Sequence, residues 1–447
     1  MVTTSNSSTE IKVMNRWIIV IGGILIQLAL GAIYAWSAFT GPLQGTTAAP
    51  SEFNFTKTET QLIFSAGLLV FAIFTIIGGR LQGKLGPMKV AMIGGILLGT
   101  GYILASFMGA SFIGKLIFLG IIAGAGIGMA YVVPIATAVK WFPDKKGLVS
   151  GLAVAGFGFG AFIWILLANP PSILGFKGLI STQTGAFAYT VANVDFAFLI
   201  YGIVFLALVI TGSFTMRNPP TGWKPAGWSP QQATSGKTSA VLGCKPKEML
   251  KSKSFYLLWI MFLVGALAGL MVIGNVQNFA KSTTDGFTAN GFSAQEAIDF
   301  AVIGAAVCLP IFNGAGRIAW GQISDRIGRG KALIGMFAFQ TAMMAIFFYT
   351  TSNPILFYIV AALIGFNFGG NFALFPVSCA DSFGAENLAV NYGFLFTAYG
   401  IGGVVGPILA GMVQDAGLSF LYAFIPAAVM CAVAVALGFA YQILSKR

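Results

Sequence analysis

Long apolar stretches alternate along the chain with short polar breaks. The apolar runs lie near 16–40, 60–79, 88–108, 113–139, 147–168, 194–215, 254–280, 297–320, 332–350, 354–379, 389–412 and 419–443. Each is long enough to place about 20 residues of helix across roughly 30 Å of hydrocarbon. A membrane β-barrel would instead alternate apolar and polar residues. The pattern predicts an all-α membrane protein with twelve transmembrane helices, and an even number puts both termini on one side.

The largest polar break is central. Residues 217–253, "RNPPTGWKPAGWSPQQATSGKTSAVLGCKPKEMLKSK", are rich in Pro, Gly, Ser and Lys. They read as a loop between a first half, 1–216, and a second, 254–447. Landmarks in the two halves repeat at one offset. Gly79 of "GRLQGKLGP" and Gly321 of "GQISDRIGR" are 242 positions apart, as are Gly86 and Gly328, Gly128 and Gly370, and Pro134 and Pro376. Two parallel six-helix halves commonly hold a substrate between them and expose it to each side in turn.

Charge changes the picture by setting orientation. Only 9% of residues are charged and 57% are hydrophobic, against about 25% charged in soluble chains. The net charge of +12 is not a nucleic-acid patch, because it is sorted by side. Of 25 basic residues, 20 fall in segments on the N-terminal side and four (Lys57, Lys115, Lys177 and Lys281) on the other. Basic loops stay in the cytoplasm, so both termini are expected there. No cleavable leader is evident in residues 1–15.

Candidate chemistry is sparse. There is no His, which removes the commonest acid–base group and metal ligand. The four cysteines are scattered, and no paired carboxylates or nucleophile constellation is evident. An enzyme, a metal site and a bound cofactor are therefore not expected. The remaining basic residue, Arg317, stands inside an apolar run, with seven uncharged residues between it and the charged cluster of Asp325, Arg326 and Arg329. An ionisable group within a span is a functional candidate by default. A guanidinium binds a carboxylate with two parallel hydrogen bonds. Asn313, one turn earlier, shares its face, as a second donor or as a packing amide. Asn275, Gln277 and Asn278 in "GNVQNFA" and Gln27 are weaker candidates for a polar pathway.

The motif "GQISDRIGRGKAL" resembles the signature between the second and third helices of each half in the major facilitator superfamily. In the first half Gly83 stands where that signature has Asp. The blocks "GAIYAWSAFTGPL" (31–43), "AGAGIGMAYVVPIATAVKWFPDKKGLVSGL" (123–152), "FNGAGRIAWGQISDRIGR" (312–329), "FGGNFALFPVSCADSFG" (368–384) and "NYGFLFTAYG" (391–400) are similar to the oxalate:formate antiporter and monocarboxylate transporter family. The resemblance implies secondary transport of small carboxylates across a bacterial or archaeal inner membrane. It assigns anion binding to Arg317 and a place in the cavity to Tyr34, Tyr131, Phe368, Phe372, Phe396 and Tyr399. Oxalate-carrying members have a Lys at the position of Tyr399. One cation with an apolar aromatic wall suits a monocarboxylate (lactate, pyruvate or formate), because a second buried carboxylate would lack a partner. Oxalate is the second reading, and a carboxylate-sensing homologue the third. The expected partners are lipid and a carboxylate, with a proton or a counter-carboxylate as co-substrate; the protein is expected to act as a monomer. A cytoplasmic gate loop is expected from Gly79, Lys84, Gly321, Asp325, Arg326 and Arg329.

Overall fold

A computed structural model describes residues 14–44, 50–168, 170, 178–180, 189–225 and 243–446; Lys177 lies outside them. Twelve helices are long and apolar enough to cross a membrane. They are span 1 (Trp17–Trp36), span 2 (Leu62–Leu85), span 3 (Pro87–Ala105), span 4 (Phe112–Trp141), span 5 (Lys146–Ala168) and span 6 (Val191–Ser213). After the central segment come span 7 (Lys253–Ala280), span 8 (Glu296–Ile327), span 9 (Arg329–Ser352), span 10 (Pro354–Phe383), span 11 (Leu388–Val413) and span 12 (Leu421–Ser445). Among the described residues the only β feature is an isolated bridge between Ser51 and Tyr189. Helices satisfy their own backbone groups, which lipid cannot do. Large apolar side chains such as Ile21, Leu69, Ile203 and Val433 remain exposed on the outside of the bundle, where acyl chains cover them.

The helix ends follow local chemistry. Ser293 and Glu296 form a capping box that starts the helix entering span 8, so two orphan N–H groups are satisfied reciprocally. Gly86 at φ 82° and Gly328 at φ 90° end spans 2 and 8, a backbone region that favours glycine. These stops lie later than the apolar pattern indicated. Spans 2 and 8 continue through amphipathic turns to Leu85 and Ile327. The expected gate loop is thus mostly helical: Gly79, Lys84, Gly321, Asp325 and Arg326 lie on helices, and Arg329 opens the next. Besides the 3₁₀ end of span 9 at Phe348–Ser352, three segments within the spans leave α geometry. Gly31–Trp36 tightens to a 3₁₀ helix, while Leu116–Ala123 and Gly304–Cys308 widen to π-helix. Such segments often mark functional positions, and the first carries Tyr34.

The first six spans meet the last six along two tight crossings. Span 2 packs on span 11 and span 5 on span 8. A Cβ on Gly79 would stand 2.3 Å from the Ala389 carbonyl oxygen, and one on Gly321 would stand 2.3 Å from that of Gly147. Glycine permits such backbone contact between membrane helices. The line between these crossings is where the candidate site lies.

Candidate anion site at the centre of the bundle

Arg317 is fully buried. Span 5 approaches so closely that a Cβ on Gly151 would stand 2.2 Å from the Arg317 carbonyl oxygen. The side chain is held on three sides. Its Nε donates to Asn313 Oδ1 at 3.0 Å and its Nη1 to the Val154 carbonyl at 3.0 Å. Its carbon centre lies 4.2 Å from the Phe372 ring centroid and 5.2 Å from that of Phe157. The negative faces of these rings attract the cation. Nη2 has no hydrogen-bond partner, and no carboxylate pairs with this arginine among the described residues. A planar fork keeps one tine free.

Aromatic groups from both ends of the chain surround it. Tyr34 of span 1 and Tyr399 of span 11 share a hydrogen bond between their hydroxyls at 2.6 Å. Tyr399 also lies 4.7 Å from Phe396 and 5.4 Å from Phe372, measured between ring centroids. Tyr131 of span 4 packs 4.9 Å from Phe396, and Phe368 packs 5.2 Å from Phe372. The eight residues singled out from the sequence thus converge. Asn313 accepts from Arg317 through its Oδ1 and so orients the guanidinium, while its Nδ2 remains a donor. Tyr392, Phe157, Phe71 and Phe262 join the cluster and were missed. Tyr392 lies seven residues before Tyr399, about two helical turns, and that spacing could have found it. The buried hydroxyls of Tyr131 and Tyr392 lack a well-formed hydrogen bond. Buried phenols usually find a partner, and these two meet each other.

The weaker amide candidates do not converge. Asn275 turns back to the Met271 carbonyl, and Asn278 is exposed. Gln27 donates to the Tyr131 carbonyl at 3.0 Å, which ties span 1 to span 4 beside the cluster.

The gate candidates divide. Asp325 accepts from the backbone N–H groups of Gly147 at 2.9 Å and Leu148 at 2.8 Å. It therefore caps the positive end of span 5 across the crossing. Arg329 pairs with Asp325 at 2.7 Å and with Asp381 at 2.9 Å, and Asp381 also takes Lys146 at 2.7 Å. Asp381 was not anticipated, although it stands within the quoted "SCADSFG". Lys146 thus points across to span 10. Arg326 and Lys84 are exposed and make no hydrogen bond or ion pair among the described residues. Lys115 also departs from expectation. It is a fully buried residue of span 4, not a solvated charge, and its ammonium donates to Asp195 of span 6 and to the Ala105 carbonyl.

A cation with a free donor, buried between two sets of six helices and closed at one end by ion pairs, is the geometry of a carrier. Comparison with known proteins agrees. The Major Facilitator Superfamily profile matches residues 19–294 and 286–447. An uncharacterized MFS-type transporter of Escherichia coli, YhjX, is 31% identical over 396 residues, covering 87% of this chain and 86% of the relative. The oxalate:formate antiporter of Oxalobacter formigenes is 28% identical over 397 residues, covering 88% and 83%. Apicoplast pyruvate carrier 1 of Toxoplasma gondii is 25% identical, covering 89% and 84%. Among solved structures, the superfamily transporter FucP in its outward conformation superposes with a TM-score of 0.65 at 17% identity, covering 95% of this chain and 99% of that one. The multi-pass helical fold, the paired profile matches and the relatives together establish that the chain belongs to the Major Facilitator Superfamily of membrane transporters.

Proposed function

We propose that this transporter carries small monocarboxylates of the lactate, pyruvate or formate class by alternating access, with Arg317 holding the anion. The observation that carries the reading is the free Nη2 of a fully buried arginine that has no carboxylate partner among the described residues. A buried charge requires a partner, and the carboxylate of the cargo supplies one. The hydroxyls of Tyr131 and Tyr392, which otherwise meet only each other, suit a second oxygen on the same small molecule. Tyr399 sits bonded to Tyr34 and brings no charge, so the cluster offers one cation for one carboxylate. The halves 1–216 and 254–447 rock about this point, and the basic end carrying Lys146 and Arg329 faces the cytoplasm with both termini. A second reading, oxalate exchanged for formate, is favoured by the antiporter relative.

The test is uptake of labelled lactate, pyruvate, formate and oxalate into proteoliposomes, with and without a pH gradient, and with each acid preloaded. A monocarboxylate should outcompete oxalate, and the gradient and preloading arms separate proton symport from exchange. Arg317→Lys keeps the charge but loses the fork; uptake should fall about a hundredfold, the equivalent of roughly 2.7 kcal/mol. Arg317→Ala should abolish uptake while the protein still elutes as a folded species. Normal uptake by the alanine variant would remove the basis of the proposal.

A further inference from the structure

Spans 9 and 10 carry a second polar group of side chains beside the arginine site. Gln340 of span 9 and Asn367 and Asn371 of span 10 are all at least nine-tenths buried. Together with Gly265, Met336 and Phe337 they line an internal cavity with a water-accessible volume of about 10 Å³. Four polar atoms there lack a protein partner: Gln340 Nε2 and Oε1, Asn367 Nδ2 and Asn371 Oδ1. Buried amide atoms in a folded protein are almost always hydrogen-bonded.

Neighbours fix which way two of the amides point. Trp320 Nε1, which can only donate, gives its proton to Asn367 Oδ1 at 3.0 Å. The Phe368 carbonyl, which can only accept, takes Asn371 Nδ2 at 3.1 Å. Asn367 therefore turns a donor to the cavity and Asn371 an acceptor, while Gln340 offers both. Gly265 makes room for this, since a Cβ there would stand 2.3 Å from Asn371 Oδ1. A cation would meet the Asn367 donor, and an anion would meet the Asn371 acceptor. A neutral molecule that both donates and accepts fits both. The volume matches on the order of one water molecule and excludes a carboxylic acid.

We propose that Gln340, Asn367 and Asn371 form a binding site for a single water molecule that joins span 9 to span 10 and positions the wall of the arginine site. Asn371 adjoins Phe372, whose ring lies 4.2 Å from the guanidinium. Trp320 lies three residues beyond Arg317 on span 8 and binds Asn367 directly. The water completes a bridge from span 8 through span 10 to span 9, so the three helices carry Arg317 and Phe372 as one body.

A high-resolution cryo-EM or crystal structure of the full chain tests this directly. One isolated solvent peak within hydrogen-bond reach of Gln340, Asn367 Nδ2 and Asn371 Oδ1 is expected. Direct amide–amide bonds with no peak, or a peak with metal-like contacts, would overturn the proposal. A structure of Gln340→Leu separates positioning from mere filling. The peak should vanish, and the spacing between Phe372 and the guanidinium should increase. An unchanged spacing would overturn the positioning role, and the wild-type map decides the water site even if the variant does not fold.

Discussion

The two crossings between the first six spans and the last six share a backbone contact and differ in chemistry. Gly79 faces Ala389 and Gly321 faces Gly147, and a Cβ added at either glycine would stand the same 2.3 Å from the facing carbonyl oxygen. All four positions obey the offset of 242 seen in the sequence. At the crossing of spans 5 and 8, Asp325 reaches over and binds two N–H groups of span 5. At the crossing of spans 2 and 11, the equivalent position is Gly83, and a Cβ there would touch nothing within 4 Å. The neighbouring Gln82 amide is buried without a partner. The start of span 11 is covered by another route: Asn387 and Asn391 donate to the carbonyls of Gly243 and Cys244, both at 3.0 Å. The Cys244 N–H in turn donates to the Phe383 carbonyl at 3.0 Å. One crossing is locked by a carboxylate, the other by a neutral strap from the end of the central segment. A repeat thus conserves steric approach without conserving the polar lock laid over it.

The largest effects are expected at the shared contact. Gly321→Val and Gly79→Val each force a side chain into a facing carbonyl, so both should destabilise the closed bundle by about 1–3 kcal/mol or more. Equal drops in melting temperature in detergent are expected; a drop at only one site would show that the crossings are not equivalent in packing. Asp325→Asn removes the charge but keeps the shape. It should weaken the span 5 lock by about 1 kcal/mol and leave Arg329 with Asp381 as its one carboxylate partner, and accelerated labelling of a cysteine placed at the basic end would report the loosening. Asn391→Ala should loosen only the other crossing, by about 1 kcal/mol, and its effect on melting should add to that of Asp325→Asn. The smallest effect is expected at Gly83. Gly83→Asp supplies the missing carboxylate opposite Ala389 and Val390, so it should stabilise the closed basic end by about 0.5 kcal/mol and slow transport. Faster transport would show that the strap already occupies the capping position.

Much of the fold was legible because hydrocarbon thickness sets a length that unbroken apolar runs reveal. The arginine was legible for a related reason: a charge among apolar residues is costly and therefore conspicuous. The helix ends were less so. Spans 2 and 8 run past their apolar stretches because amphipathic turns at the membrane surface stay helical until Gly86 and Gly328 stop them. Pairings were not legible. Lys115 and Asp195 stand 80 residues apart, and their meeting required spans 4 and 6 to pack with both side chains turned inward.

The sequence alone determined the membrane class, the twelve spans, the repeat and the isolated arginine, because each is written in local composition or in a fixed spacing. Only the tertiary structure decided which groups share a space. The Tyr34–Tyr399 bond joins residues 365 positions apart, and the amides of Gln340, Asn367 and Asn371 reach one cavity only through the rotation of two helices. A helix pattern states which residue types a span carries. The facing of those residues depends on how twelve similarly apolar helices pack, and no single helix encodes that.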